Sequence, residues 1–482
     1  MFTYFLIITP LVIGLIMLLS RGKRGTIESL AVFASLVELV GALGVAFSPA
    51  PTGLYVFSTF LHYDALGSWF LIIVAVLSFF ATLYSISYLR REEKRQMISP
   101  PKLRRYYALF QFFVLTMFIA VGTNNILLLW IAVEATTLCS AFLVNFFDRP
   151  AAIEAAWKYM IINTVALLIG LFGVFLFIAA VEHAAIVTIS LDWESIARIA
   201  PILDVALLKL AFIFMLIGYG TKAGLAPLHN WLPDAHSQAP SPVSALLSGA
   251  LLNVALLALL RFKAIVDIAA GPSFSQTLLL SFGTASIVIA ALLILVQKQY
   301  KRLLAYSSVE HMGIIAFGFG VGGAGNVAAL LHALYHSLAK SLLFLASGNI
   351  ILRYHAHEIS AVRALLRTLP ITGVLFFAGL LAVAGLPPFG TFLTELAIFS
   401  AAFATHPWLT VIAIIALAVA FVGIVRHISA MCFGKKDETV TVGEDDMLGV
   451  FPIIALFALL LLLSIVQPQA LMALLNNASI NL

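Results

Sequence analysis

Glu38, Glu134, Lys158, Lys222, Glu310, Lys340 and Glu395, together with His311, His332 and His336, stand in stretches that are otherwise almost wholly apolar. Each can take up or release a proton, and each is costly to hold away from water unless it is paired or wetted. A chain that served only as an anchor would not need them, so the pattern points to proton handling. His332, His336 and Lys340 follow one another at i, i+4 and i+8, which on a helix sets all three within about 80° of one face over roughly 12 Å. Histidine ordinarily titrates near about 6.5 and suits stepwise proton transfer. Glu134, in "LLLWIAVEATTL", is too deep in its run to reach either end. Lys158 lies about two turns into its own run and is close enough to snorkel. Glu38 and His311, taken singly, read equally well as interhelical hydrogen-bond partners.

Other chemistries lack their residues. Cys139 and Cys432 lie far apart with no C-x-x-C spacing, which argues against iron–sulfur and zinc sites. His355 and His357 form an H-x-H beside Glu358 in a basic stretch, a poor metal set. Nothing resembles a dinucleotide fingerprint, a Walker loop or a nucleophile elbow. The expectation is a chain with no cofactor and no catalytic or redox centre of its own, so that any redox centre sits on a partner.

The elements that must position these groups follow from composition. Of 482 residues, 62% are hydrophobic and only 10% charged, the signature of a polytopic membrane protein. Runs of about 20 apolar residues, enough to cross roughly 30 Å of hydrocarbon, recur along the whole length. They predict fourteen spans, at 2–20, 26–48, 64–89, 105–121, 123–147, 152–181, 205–226, 242–262, 276–297, 301–321, 325–352, 370–400, 407–432 and 448–472. The first has neither a basic flank nor a small-residue cleavage site and reads as a retained helix. Twenty Lys and Arg residues, among them Arg21, Arg90, Arg149, Lys301, Arg353 and Lys436, fall in or beside odd-numbered connections, against Arg198, Lys209, Arg261 and Lys263 in even ones. That bias predicts odd connections in the cytoplasm and both termini outside, in a cell (inner) membrane. The net charge of +5 is thus a topology signal and implies no nucleic acid.

Two spans contain prolines that free backbone groups lipid cannot satisfy. The seventh holds "AGLAP" at Ala223–Pro227 beside Lys222; the twelfth holds "AGLPP" at Ala384–Pro388, two turns before Glu395. The pentapeptide recurs five spans later, as in transporters built from inverted repeats whose broken helices carry the polar sites. This predicts an all-α fold with helices 1–3 at 1–104, a first five-helix repeat (helices 4–8) at 105–262, a second (helices 9–13) at 263–432, and helix 14 at 433–482. The stretch "LHNWLPDAHSQAPSP" after the first break reads as a cytoplasmic turn, in which His229, Asp234 and His236 either give wet access to Lys222 or cap helix ends.

The blocks "LHNWLPDAHSQAPSPVSALLSG", "KRLLAYSSVEHMG", "HALYHSLAKSLLFLASGNI" and "AGLPPFGTFLTE" resemble the signatures of the proton-pumping, antiporter-like membrane subunits of respiratory complex I, Mrp-type antiporters and membrane-bound hydrogenases. "WIAVEATTLCSAFL", "IEAAWKYMI" and "SSVEHMG" are most similar to the component-F membrane proteins of the hydrogenase 4 and formate hydrogenlyase group. The resemblance implies that Glu134 is the fifth-helix carboxylate, Lys222 the seventh-helix lysine, Glu395 the twelfth-helix group, and His332, His336 and Lys340 the eleventh-helix stripe. Where many relatives have a lysine in helix 8, this chain has Asn253, which cannot carry a proton. The link would then run through water, His311 or the eleventh-helix stripe, with Lys158, His229, His236 and Glu310 as secondary candidates.

The relay expected on this basis loads a proton on Lys222, passes it by waters, the two histidines and Lys340, and releases it through Glu395. A carboxylate about 4 Å from an ammonium contributes on the order of 4 kcal/mol at an effective dielectric of about 20, so the Glu134 to Lys222 distance would decide whether the lysine holds its proton. Expected partners are other integral subunits and a peripheral redox arm on the cytoplasmic side. The alternatives are a subunit of an Mrp-type sodium/proton antiporter and the proton channel of a bicarbonate-uptake complex.

Overall fold

The computed structural model describes the chain except for residues 1, 21, 49–53, 57–59, 185–189, 436–437 and 481. Arg21 and Lys436 of the charge count lie outside the described residues. Apolar runs become helices because a helix closes its own backbone hydrogen bonds where lipid offers none. They are α1 (Phe2–Leu19), α2 (Arg24–Ala46), α3 (Ala65–Lys94), α4 (Pro100–Gly122), α5 (Ile126–Val144), α6 (Pro150–Ala184), the short α7 (Trp193–Ile199), α8 (Val205–Lys222), α9 (Trp231–Gln238) and α10 (Ser241–Ala270). There follow α11 (Ser273–Leu295), α12 (Tyr300–Val321), α13 (Ala324–Tyr354), α14 (Pro370–Val383), α15 (Gly390–Thr405), α16 (Pro407–Cys432), α17 (Phe451–Val466) and α18 (Gln469–Ser479).

Among the described residues twelve helices are long and apolar enough to cross a membrane. The tenth and twelfth expected spans fall outside that set. α12 is 22 residues long but carries Lys301, Arg302, Glu310 and His311, and the twelfth span is divided into α14 and α15. The fold is also not wholly α. A two-stranded antiparallel hairpin, β1 (Leu54–Val56) and β2 (Leu61–Tyr63), joins α2 to α3 with Leu54 opposite Tyr63. Three-residue strands lie below what a membrane-span pattern resolves.

α10 and α13 are enclosed by the rest of the bundle, whereas α1 and α16 turn Leu11, Leu15, Ile412 and Ile415 outward. The polar stripe sits on the enclosed helices, where protein rather than lipid can satisfy it. Arg261, which reads from sequence as a loop charge, instead pairs with Asp64, the residue that caps α3 by accepting from the Gly67 N–H at 2.8 Å. Within α10, Leu247–Leu251 form a π turn, a local widening often found where a helix serves a polar site.

The two breaks have the same backbone. After α8, the Gly224 N–H donates to Thr221 O (3.0 Å) and the Leu225 N–H to Gly220 O (2.9 Å); after α14, Gly385 donates to Ala382 O (3.2 Å) and Leu386 to Leu381 O (3.2 Å). Both are Schellman caps, with Gly224 at φ +81° and Gly385 at φ +67°, a left-handed conformation that glycine adopts without strain. One carbonyl of each cap also takes a side-chain donor: Trp231 Nε1–H donates to Thr221 O (2.9 Å) and the Thr391 hydroxyl to Ala382 O (2.6 Å).

One expectation is overturned here. "LHNWLPDAHSQAPSP" is no plain turn, because Trp231–Gln238 form α9, and Trp231, Leu232, Ala235 and His236 are fully buried. The proline at its third position falls in the first turn of the helix, where its missing N–H costs nothing. A reading that treats proline only as a breaker therefore missed α9.

Candidate functional site

The first polar cluster lies where α8 ends. Lys222 is fully buried, and its Nζ donates to Thr137 Oγ1 (2.7 Å) on α5 and to the Tyr159 hydroxyl (2.8 Å) on α6. Glu134 makes no direct ion pair with it. One turn along α5, the Thr137 hydroxyl stands 3.4 Å from Glu134 Oε2, while Thr164 donates to Glu134 Oε1 at 2.7 Å. Thr137 can accept from the lysine and donate to the carboxylate at once, so a bridging hydroxyl joins the two charges. Tyr159 extends the chain to Ser140, 2.7 Å from its hydroxyl.

The second cluster lies where α14 ends. His311 Nδ1 and His332 Nε2 are 2.9 Å apart, His311 Nε2 donates to the Val383 carbonyl at 3.0 Å, and His332 Nδ1 is 2.7 Å from the Thr394 hydroxyl. A carboxylate oxygen of Glu395 and one nitrogen of each ring all lie within 4.8 Å of one another. Both histidines are fully buried and Glu395 is half-buried. His336 is also fully buried, with its ring 5.3 Å from that of His311 and neither nitrogen bonded among the described residues.

Between the clusters runs a seam on α10, α12 and α13. Lys340 Nζ donates to Ser307 Oγ (2.6 Å) and Leu304 O (3.0 Å), with Glu310 in electrostatic reach. The Ser248 and Ser308 hydroxyls are 2.7 Å apart. Asn253 Nδ2 donates to Ser337 Oγ (2.7 Å) and Gly249 O (2.9 Å), which leaves its own buried oxygen without a partner among the described residues. His236 stacks on Phe344 of α13 with ring centres 5.1 Å apart and lies next to Trp231, so α9 brings it inward toward Lys340. His229 is buried with its ring 6.1 Å from that of Tyr306.

Two candidates stand apart. Lys158 is half-exposed and pairs with Glu154 (2.6 Å) and Asp234 (3.5 Å), the latter also held by Arg302 at 2.7 Å. Glu38 is fully buried on α2, and neither carboxylate oxygen has a partner among the described residues. Sequence reasoning missed Thr137, Tyr159, Thr164 and Thr394. The signal was present for Thr137, one turn from Glu134 on the same face. Lys301 was counted among the loop charges, but it is buried and donates to Ala239 O at 2.7 Å. At His355 the H-x-H is engaged by Arg95, not by a third ligand.

Helices broken at matched places, each with buried ionisable groups, define a membrane ion-transport subunit of the antiporter type. Residues 123–421 match the family described as NADH:quinone oxidoreductase/Mrp antiporter, transmembrane, and the chain belongs to that family of antiporter-like membrane subunits. It is 40% identical over 425 residues to the hydrogenase-4 component F homolog of Methylacidiphilum infernorum, covering 87% of this chain and 88% of that one. It is 29% identical over 392 residues to hydrogenase-4 component B of Escherichia coli, covering 78% of this chain and 56% of that longer one. Its fold matches a subunit of the archaeal membrane-bound sulfane sulfur reductase with a TM-score of 0.89 at 24% identity, over 99% of this chain and 97% of that one.

Proposed function

We propose that this chain moves protons through the membrane part of a hydrogenase-4-like or complex I-like oxidoreductase, driven by redox chemistry on a peripheral cytoplasmic arm. The observation that carries this is the pair of buried clusters at matched helix breaks, Glu134–Thr137–Lys222 and His311–His332–Glu395, joined by the seam through Lys340. A proton taken up at Lys222 has hydroxyl partners in Thr137 and Tyr159. Onward transfer runs by His236 and the serines around Asn253 to Lys340, then by His336 and His311 to Glu395. Asn253 acts there as a fixed donor, to Ser337 and Gly249, that orders the seam without itself carrying charge.

In this reading the chain crosses the membrane fourteen times, with α12 and the broken α14–α15 pair added to the twelve long apolar helices. Residues 1–104 and 433–482 flank two inverted repeats at 105–262 and 263–432. The Schellman caps support the repeat because they put Gly224 in register with Gly385. Lysine and arginine crowd the odd connections, which supports both termini outside the cell membrane. Sodium as a carried ion belongs to the antiporter alternative.

The test is proton movement per electron in the reconstituted complex. Glu134→Gln and Lys222→Ala should each reduce it to background while leaving the complex assembled. Normal pumping by both variants would defeat the relay.

A further inference from the structure

We propose that His311, His332 and Glu395 form a binding site for a divalent transition-metal ion of the zinc type. Two imidazoles and one carboxylate, with an open position for water, make a donor set that zinc commonly accepts. The three donor atoms already lie within 4.8 Å of one another. Ligands of a tetrahedral zinc are separated by about 3.3 Å given metal–ligand bonds of about 2.0–2.1 Å, so closing on an ion needs only small side-chain movements.

The partners of the outer nitrogens strengthen the case. Histidines that hold a metal usually donate the other ring N–H to a carbonyl or similar acceptor, which fixes the tautomer. His311 Nε2 donates to Val383 O at 3.0 Å, which leaves Nδ1 as a lone pair facing His332. His332 Nδ1 is 2.7 Å from Thr394 Oγ1, whose hydroxyl has two carbonyls in reach, Thr391 O at 2.9 Å and Gly390 O at 3.0 Å. Thr394 can therefore donate to His332 or accept from it. In the second arrangement His332 carries its proton on Nδ1, and the two inner nitrogens, 2.9 Å apart, turn lone pairs toward each other. Two facing lone pairs repel unless something positive lies between or beside them, and a proton or a metal ion meets that need.

Room and access are present too. Gly385 leaves space for the carboxylate, since a Cβ there would collide with Glu395 Oε2. Glu395 is half-buried, and Pro387 and Pro388 at the break lie on the surface of the chain, so the site has one side that this chain does not close. On binding, the His332 proton moves from Nε2 to Nδ1 and none leaves the histidine pair; a protonated Glu395 gives up one proton. The consequence, which rests on the relay proposed above, is that a bound ion occupies its last two proton stations, His311 and Glu395, and stops proton movement.

The assembled complex, stripped with a chelator and titrated with Co2+ alone and then Zn2+, tests the site. The expected result is a tetrahedral cobalt absorption band at one ion per chain, displaced by zinc. The affinity should fall by about tenfold or more in His311→Gln, His332→Gln and Glu395→Gln, and by about 10–100-fold in Thr394→Val. Lys222→Ala should bind as the unaltered chain does. No cobalt band, or an unchanged band in both His332→Gln and Glu395→Gln, overturns the site. The two proposals fail separately. Normal pumping by Lys222→Ala with the band intact would sink the relay alone, and a missing band with pumping lost in Lys222→Ala would sink the metal site alone.

Discussion

The breaks after α8 and α14 share a backbone and differ in chemistry. Their Schellman caps align Gly224 with Gly385, and in that register Lys222 falls opposite Val383 while Glu395 falls opposite Asp234. Lys222 and Glu395, which sequence alone presents as counterparts, thus occupy different places: one closes the first half-helix and the other projects from the second. At the α8 break the cation uses its side chain to reach α5 and α6. At the α14 break the equivalent residue offers only its carbonyl, and His311 takes it. Asp234 meanwhile is held by Arg302 and Lys158 near the surface. A repeated backbone therefore fixes where polar groups can be satisfied, and the side chains decide what chemistry each break can carry.

The comparison can be pressed by substitution. The largest effect is expected from Lys222→Ala, which removes the buried cation of the first break and should abolish proton movement, whereas Val383→Ala, at the aligned position, should leave most of it. Glu395→Gln should lower proton movement severely with little loss of assembly, while Asp234→Asn, its aligned acid, should cost no more than about 1 kcal/mol of stability because its partners are part-exposed. Equal flux defects in the two acid variants would break the distinction.

The glycines should separate stability from function. Gly224→Ala and Gly385→Ala both force a side chain into a left-handed backbone, and thermal melting should register about 1 kcal/mol or more for each. A Cβ at Gly224 meets the end of Leu232, but at Gly385 it meets the Glu395 carboxylate, so only the second should depress proton flux beyond its loss of stability. A smaller loss of proton movement than at Lys222 or Glu395 is expected from Thr137→Val. Losing the bridging hydroxyl should cost about 0.5–1.5 kcal/mol and slow pumping severalfold, with Thr137→Ser restoring it.

Helix positions and both breaks were legible because membrane spans are long, and because proline and glycine mark where a helix stops. Buried charges were legible one by one, since apolar neighbours expose them. What pairs with what was not. The Thr137 bridge depends on how α5 rotates against α8, and His311, which reads alone as an ordinary bundle residue, becomes the centre of the second cluster only once α12, α13 and α14 meet. Lys301 misled for a related reason, since a lysine at the start of a helix looks like a loop charge until α9 folds over it. α9 itself was hidden by its proline and by a length of only eight residues.

The π turn at Leu247–Leu251 acts on α10 as one residue too many. Each residue advances a regular helix by about 100°, so everything beyond the turn is rotated by about that much relative to an unbroken helical wheel. Asn253 owes its aim at Ser337 to that surplus. A single-residue deletion within the turn would close it to a regular helix with the amide still on the seam, whereas the same deletion between the turn and Asn253 would swing it out by about 100°. In comparing this helix with those of related chains, a gap of one position carries more information than any substitution near it.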